Sequence, residues 1–170
     1  MQKLILVYGV IAGLVIIGIA TLSIELGISS MWFGYLVMFI AFSVIFVAVR
    51  KYRDESLGGV IRFGTGFGLG LGITLVASLI YVLVWELYLV STDYTFMDTY
   101  IASIVESKKA AGVSQEELAA TIAEMDSMRE MYANPLFRLP MTFVEIFPVG
   151  LLISLVAAFV LRNIRTAAAA

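Results

Sequence analysis

Two carboxylates lie in or at the edge of apolar stretches of this 170-residue chain, and they are its strongest candidates for chemistry. Glu86 follows the uncharged run 63–85, and Glu145 lies within the run 141–161. A charged carboxylate in hydrocarbon is costly unless it is paired or protonated, so each acid suggests a functional role. The two acids would lie at similar depth, with Arg138 near enough to pair with one of them. The sequence therefore predicts an intramembrane polar site formed by Glu86, Glu145 and Arg138.

Each acid also has a structural interpretation. Counted from Arg62, Glu86 lies roughly 36 Å along a helix at ~1.5 Å per residue, at or past the edge of a ~30 Å core, and would be interfacial. Glu145 fits a capping box with Thr142, which would begin the last helix there. If that helix begins earlier, Pro148 kinks it and frees a backbone carbonyl near Glu145. The capping interpretation is the favoured one, and a cation or proton site is the alternative.

The composition excludes most catalytic chemistry. The chain has no cysteine and no histidine, which removes disulfides, thiolate nucleophiles and the commonest general base and metal ligand. No cofactor and no metal site are predicted. Carboxylates alone can perform acid–base catalysis, but no spacing here argues for a membrane enzyme, and we predict that the protein is not an enzyme. The net charge of −2 argues against nucleic acid as a partner.

A run of alternating glycines opens the third apolar stretch. On a helix they form two rows with small-xxx-small spacing, which lets backbones of neighbouring helices approach closely in lipid. A strand, a hinge and a close-approach site for a ligand are the alternatives. The G-x-G-x-x-G pattern of nucleotide-binding loops does not occur. We predict a helix-packing role for these residues: Gly64, Gly66, Gly68, Gly70 and Gly72.

The overall composition predicts an all-α, polytopic membrane protein. Hydrophobic residues make up 61% of the chain and its mean hydropathy is +1.00, too apolar for a soluble domain of this size. The first apolar run is too long for a secretory signal and lacks a cleavage site, so it is read as a retained helix. We predict one membrane domain over 1–170, with four transmembrane helices at about 4–24, 31–49, 63–85 and 141–161.

The segment between the third and fourth spans differs in character, since it is rich in acidic residues. It predicts an amphipathic helical hairpin over about 93–133. Gly112 follows the first helix as a stop signal, and Ser114 with Glu117 forms a capping box for the second. Asn134 and the following proline end the pair.

The basic residues predict the orientation. Arg50, Lys51 and Arg53 form a cluster after the second span, and all basic residues outside the hairpin loop fall on one side of a four-span protein. The positive-inside rule places both termini in the cytoplasm and the hairpin on the extracytoplasmic side of an inner membrane. The cluster is read as a topology signal and a contact for anionic lipid, with a phosphate-ligand role as the alternative.

Short motifs lie at intervals over nearly the whole chain: Tyr52-Arg53, Gly59 through Phe63-Gly64, Tyr81, Trp85-Glu86, Asn134-Pro135 and Glu145-x-x-Pro148-x-Gly150-Leu151. Together they resemble those of a bacterial inner-membrane family catalogued as domain of unknown function 4199. The resemblance implies a four-helix integral membrane protein and supplies no activity and no catalytic residues.

Two functions are expected from these features. The leading one is a non-catalytic membrane subunit or scaffold that binds lipid, other membrane proteins or a second copy of itself through its glycine faces and its hairpin. The alternative is a small homo-oligomeric transporter or channel, with a cation or proton site at Glu86 and Glu145.

Overall fold

A computed structural model describes residues 1–28 and 30–163, and the secondary structure of this part of the chain is helical, without a strand. Helix accounts for 86% of the structure, which confirms the all-α prediction. The helices, in chain order, are α1 (Gln2–Glu25), α2 (Met31–Phe42), α3 (Val44–Ser56), α4 (Phe63–Ser91), α5 (Phe96–Ala110), α6 (Gln115–Ala133) and α7 (Pro135–Leu161).

Four helical segments have the length and composition of membrane spans. They are α1, the combined segment Met31–Ser56, α4 and α7, each with a strongly apolar stretch of 18 residues. Large side chains on their surfaces are exposed and apolar, among them Ile11, Leu79 and Leu152. Surfaces of this kind suit contact with lipid. The protein is a multi-pass membrane protein, as the sequence predicted.

Three of the four spans extend well beyond their predicted bounds. The second continues to Ser56 and is interrupted only at Ser43, an exposed residue whose hydroxyl donates to the Ile40 carbonyl at 2.6 Å. The third continues to Ser91. The added residues at these two ends include charged and aromatic side chains. Such side chains can lie at the membrane surface, so the helix continues through them.

The last span begins earlier than predicted, and this overturns the capping interpretation of Glu145. Pro135 occupies the first helical position, where its missing N–H costs nothing, and the Asn134 side chain accepts from the Leu136 amide at 3.0 Å. Glu145 therefore lies several turns inside α7 and cannot form a capping box with Thr142.

The chain forms two compact units. The first comprises Met1–Val84 and the segment from Phe143 onward; the second comprises Trp85–Thr142.

Glycines bring the helices of the first unit into close contact. A Cβ placed on Gly9 of α1 would lie 2.6 Å from the Val76 Cβ of α4, and one on Gly13 would lie 2.8 Å from the Ala77 carbonyl oxygen. Real Cβ atoms do not approach so closely, so only glycine permits this α1–α4 packing.

Glycines also allow close packing between α4 and α7. A Cβ on Gly150 would lie 2.5 Å from Thr74 Cγ2, and one on Gly70 would lie 2.9 Å from Ser154 Cβ. The hydroxyls of Thr74 and Ser154 lie 3.1 Å apart, completely buried. Each also lies within hydrogen-bonding distance of the carbonyl one turn before it, that of Gly70 or Gly150, so both of these buried hydroxyls have an acceptor for their one proton.

The five alternating glycines of α4 divide into three that face neighbours and two that do not. Gly66 and Gly70 face α7 and α3, and Gly72 faces Ile5 of α1. At Gly64 and Gly68, an added Cβ would meet no atom within 4 Å. This row therefore has no packing role within the part of the chain that the structure describes.

In the second unit, α5 and α6 pack together through a small apolar cluster. Met97, Ile101 and Met125 are buried, and Met128 lies against them. Ser114 accepts from the Glu117 amide at 3.1 Å, which begins α6 where the sequence predicted. The Glu117 carboxylate does not complete the box, because it accepts from Lys108 Nζ at 2.8 Å.

Candidate functional site

Arg138 and Glu86 form a bidentate ion pair in the second unit. Nε and Nη2 of Arg138 each donate to one oxygen of Glu86 at 2.7 Å, and Nη1 donates to the Tyr132 carbonyl at 3.0 Å. The Arg138 side chain is only 4% exposed and that of Glu86 is 23% exposed. This fork geometry uses most guanidinium donors and engages both oxygens of Glu86.

Two tyrosines flank the same guanidinium. Its central carbon lies 5.4 Å from the ring centre of Tyr94 and 5.7 Å from that of Tyr132, within the range of cation–π attraction. The Tyr132 hydroxyl accepts from the Trp85 indole N–H at 2.7 Å, which fixes its ring. Nothing in the sequence pattern distinguishes these tyrosines from ordinary interfacial aromatics, and sequence reasoning missed their contact with Arg138.

The turn that carries Tyr94 is strained. Asp93 and Tyr94 have φ angles of 50° and 58°, a left-handed conformation that L side chains rarely adopt. Each such residue costs on the order of 1 kcal/mol. The strain accompanies the placement of the Tyr94 ring beside Arg138.

A cavity of about 330 Å³ adjoins this cluster in the second unit. Its wall includes apolar side chains, such as Leu89 and Met97, and two arginines, Arg129 and Arg138. Arg129 is bound by Asp98 at 3.0 Å and by Asp126 at 3.3 Å. Both guanidinium groups of the wall are therefore neutralised by carboxylates of the same unit.

Glu145 lies in the first unit, with a different environment. The Tyr81 hydroxyl, itself buried, donates to its Oε1 at 3.2 Å. No Lys or Arg among the described residues lies within ion-pair distance of this carboxylate, and the residue is exposed on the surface of α7. The predicted set of three residues is thus distributed over two units, with Arg138 bound to Glu86 and Glu145 bound to Tyr81.

Ser78 is a further buried polar group that sequence reasoning did not single out. It is completely buried on α4, one turn from Thr74 and one turn from Tyr81, and its hydroxyl has no hydrogen-bond partner among the residues that the structure describes. Its position between two polar residues of one α4 face was the available signal in the sequence.

The basic cluster is exposed and partly neutralised. Arg53 Nε lies 2.7 Å from Asp54 Oδ1, and Arg50 lies 3.6 Å from the same carboxylate with 73% of its side chain exposed. Lys51 is also exposed. A solvated cluster of this kind suits attraction to anionic lipid headgroups more than specific recognition of one phosphate.

Across the described residues, no group of three acidic, histidine or cysteine side chains could hold a metal ion.

Comparison with known proteins gives one match. The family model described as "Protein of unknown function (DUF4199)" matches residues 7–163, which confirms the resemblance found in the sequence motifs. Neither the curated proteins nor the solved structures contain a match to the chain.

Proposed function

Because the chain belongs to the DUF4199 family, whose description assigns no activity, we propose from its own geometry that it is a non-catalytic membrane subunit or scaffold. It would bind another membrane protein, a second copy of itself or lipid. The observation that carries this proposal is the outward row of Gly64 and Gly68. Glycines at small-xxx-small spacing permit close helix approach, and a Cβ added to either of these two would meet no other part of the described chain within 4 Å.

The packing of the first unit supports a scaffold rather than a transport path. Between α4 and α7 the contact is closed by Gly70, Gly150 and the Thr74–Ser154 hydroxyl pair. In the second unit, Arg138 neutralises Glu86. The absence of histidine and cysteine is consistent with a protein that is not an enzyme and that binds no cofactor.

The proposed topology has four spans in an inner membrane, with both termini in the cytoplasm. The segment 93–133 then lies on the extracytoplasmic side as a hairpin of α5 and α6. The distribution of basic residues supports this orientation, since Arg50, Lys51 and Arg53 cluster at the end of the second span.

Association through the glycine row is tested with bulky substitutions. Gly64→Ile combined with Gly68→Ile should reduce the assembled fraction measured by light scattering in mild detergent, because both side chains would hold a partner helix away. Leu79→Ile is the matched control on an exposed position of the same helix. A wild-type protein that is a monodisperse monomer, with no partner after mild cross-linking in membranes, contradicts the proposal.

The second candidate function is a transporter in which Glu145, without Glu86, binds a cation or proton. It is favoured by the position of this carboxylate within α7 without a described cation beside it. Proteoliposomes containing wild-type protein, Glu145→Gln and Glu86→Gln would be compared for proton and sodium flux. Flux that is lost only in Glu145→Gln supports transport, and equal flux in all three excludes it.

A further inference from the structure

Glu145 occupies an otherwise apolar outward face of α7. On the same helix and within the first unit, Leu152 is 51% exposed and Val156 is 45% exposed, and Pro148 is exposed between them and Glu145. These positions are three to four residues apart, so they follow one face of the helix. Glu145 is exposed in this row and brings the only charge of α7 within the first unit.

The depth of Glu145 places it within the apolar part of the span. Measured back from Arg162, it lies roughly 26 Å along a helix at ~1.5 Å per residue. A bilayer core is ~30 Å thick, so the carboxylate falls a few ångströms inside one boundary when Arg162 lies at the other. A carboxylate at this depth is costly when it is charged and unpaired.

The groups present at this place are acceptors. Tyr81 donates to Oε1, and no donor among the described residues is bonded to Oε2. Pro148 has no amide hydrogen, so the Val144 carbonyl lacks the donor that normally follows it by one turn. A carboxylate and a freed carbonyl within one turn of an apolar surface call for a cationic donor rather than for another apolar or acidic group.

We propose that this face of α7 docks a transmembrane helix of a partner protein that carries one lysine or arginine at the depth of Glu145. This deepens the proposed subunit function and rests on it. A second copy of the chain is less suitable, because the described surface of its spans offers no free cation at that depth: Arg138 is buried and bound to Glu86. The Tyr81 bond would hold the carboxylate oriented before the partner arrives.

The test uses synthetic transmembrane peptides in phosphatidylcholine vesicles. One polyleucine peptide carries a single lysine at the matching depth, and the other carries leucine there. Energy transfer is measured from a donor on Ser56→Cys, an exposed position, to an acceptor on the peptide. The lysine peptide should bind about tenfold more tightly than the leucine peptide, as expected for one charge-assisted contact.

Glu145→Gln should remove that preference, and Glu106→Gln should keep it, because it deletes one exposed negative charge outside the spans. Equal binding of the two peptides to wild-type protein overturns the proposal. So does a preference that appears only when phosphatidylethanolamine is added, since a lipid amine would then be the occupant, or self-association that is lost in Glu145→Gln.

The glycine variants separate the two proposals. If the lysine preference is absent but Gly64→Ile with Gly68→Ile still dissociates the natural assembly, the docking face is wrong and the scaffold function stands. If the protein never assembles, the scaffold function fails whatever the peptides show.

Discussion

At the scale of single residues, Arg138 is the most deeply buried charged residue in the described chain. Its guanidinium is almost fully buried, chelated by Glu86 and flanked by Tyr94 and Tyr132. Removing one member of a buried pair strands the other charge, which costs far more than the pair contributes as a whole. The second unit therefore needs both members of the pair to stay folded, although the pair as a whole adds little to its stability.

Replacing Arg138 should consequently unfold the second unit more readily than replacing Arg129. We expect Arg138→Gln to lower the free energy of unfolding by about 3 kcal/mol, because Glu86 loses its only cation. Arg129→Gln should cost under about 1 kcal/mol, since its side chain is 46% exposed. Thermal melts in detergent, followed by circular dichroism, measure both. Equal losses in the two variants would contradict the buried-pair argument.

Asp93 offers a residue-scale test of backbone strain. Glycine adopts a φ of 50° without steric cost, so Asp93→Gly should raise the free energy of unfolding by about 0.5–1 kcal/mol. Ser107→Gly, within α5, is the control and should lower it by about 0.5 kcal/mol. The same melts compare the two. A loss of stability in Asp93→Gly would show that the aspartate side chain contributes more than the strain costs.

At the scale of elements, close helix contact depends on which glycines face a neighbour. Gly150→Ala should destabilise the protein by about 1–3 kcal/mol, because its new Cβ would meet Thr74 and the Phe42 ring, which lies 2.8 Å away. Gly64→Ala should be neutral or stabilising, since its Cβ meets nothing and alanine favours a helix. Melting temperatures of the two variants in the same detergent decide the point. A harmless Gly150→Ala would rule out the tight α4–α7 contact.

The sequence predicted the elements better than their ends. Apolar length alone located all four spans, since every backbone group in hydrocarbon must be satisfied within a helix. The predicted start of α7 was wrong because Pro135 was taken to end the hairpin. Proline also suits the first position of a helix, and α7 begins there. Spacing predicted that the glycines of α4 suit helix packing but not which of them face a neighbour, because that depends on the neighbouring helices.

The sequence singled out the residues of the candidate site by their type, but it did not show which side chains contact each other. Intramembrane charges are rare, so Glu86, Glu145 and Arg138 stood out in the sequence. Their partners are set by the turns around them: the left-handed turn at Asp93 and the early start of α7 bring the tyrosines and Glu86 to Arg138. No local pattern encodes such long-range contacts.

At the scale of the whole molecule, the orientation in the membrane is the property on which the proposed function depends. A partner that contacts 93–133 must be extracytoplasmic if the termini are cytoplasmic, and cytoplasmic if they are not. The chain has no native cysteine, so any introduced thiol is the only one present. Ser56, at the end of α3, and Ser107, in α5, are both exposed and differ from cysteine by one atom.

Single variants Ser56→Cys and Ser107→Cys should therefore respond oppositely to a membrane-impermeant thiol reagent applied to intact cells. The positive-inside rule predicts labelling at position 107 and none at position 56. Lysed cells supply the control, because both thiols should then react. The reverse pattern would invert the topology and move the expected partner of the α5–α6 segment to the cytoplasm. Labelling at both positions in intact cells would contradict a four-span arrangement, since Ser56 and Ser107 are separated by the single span α4.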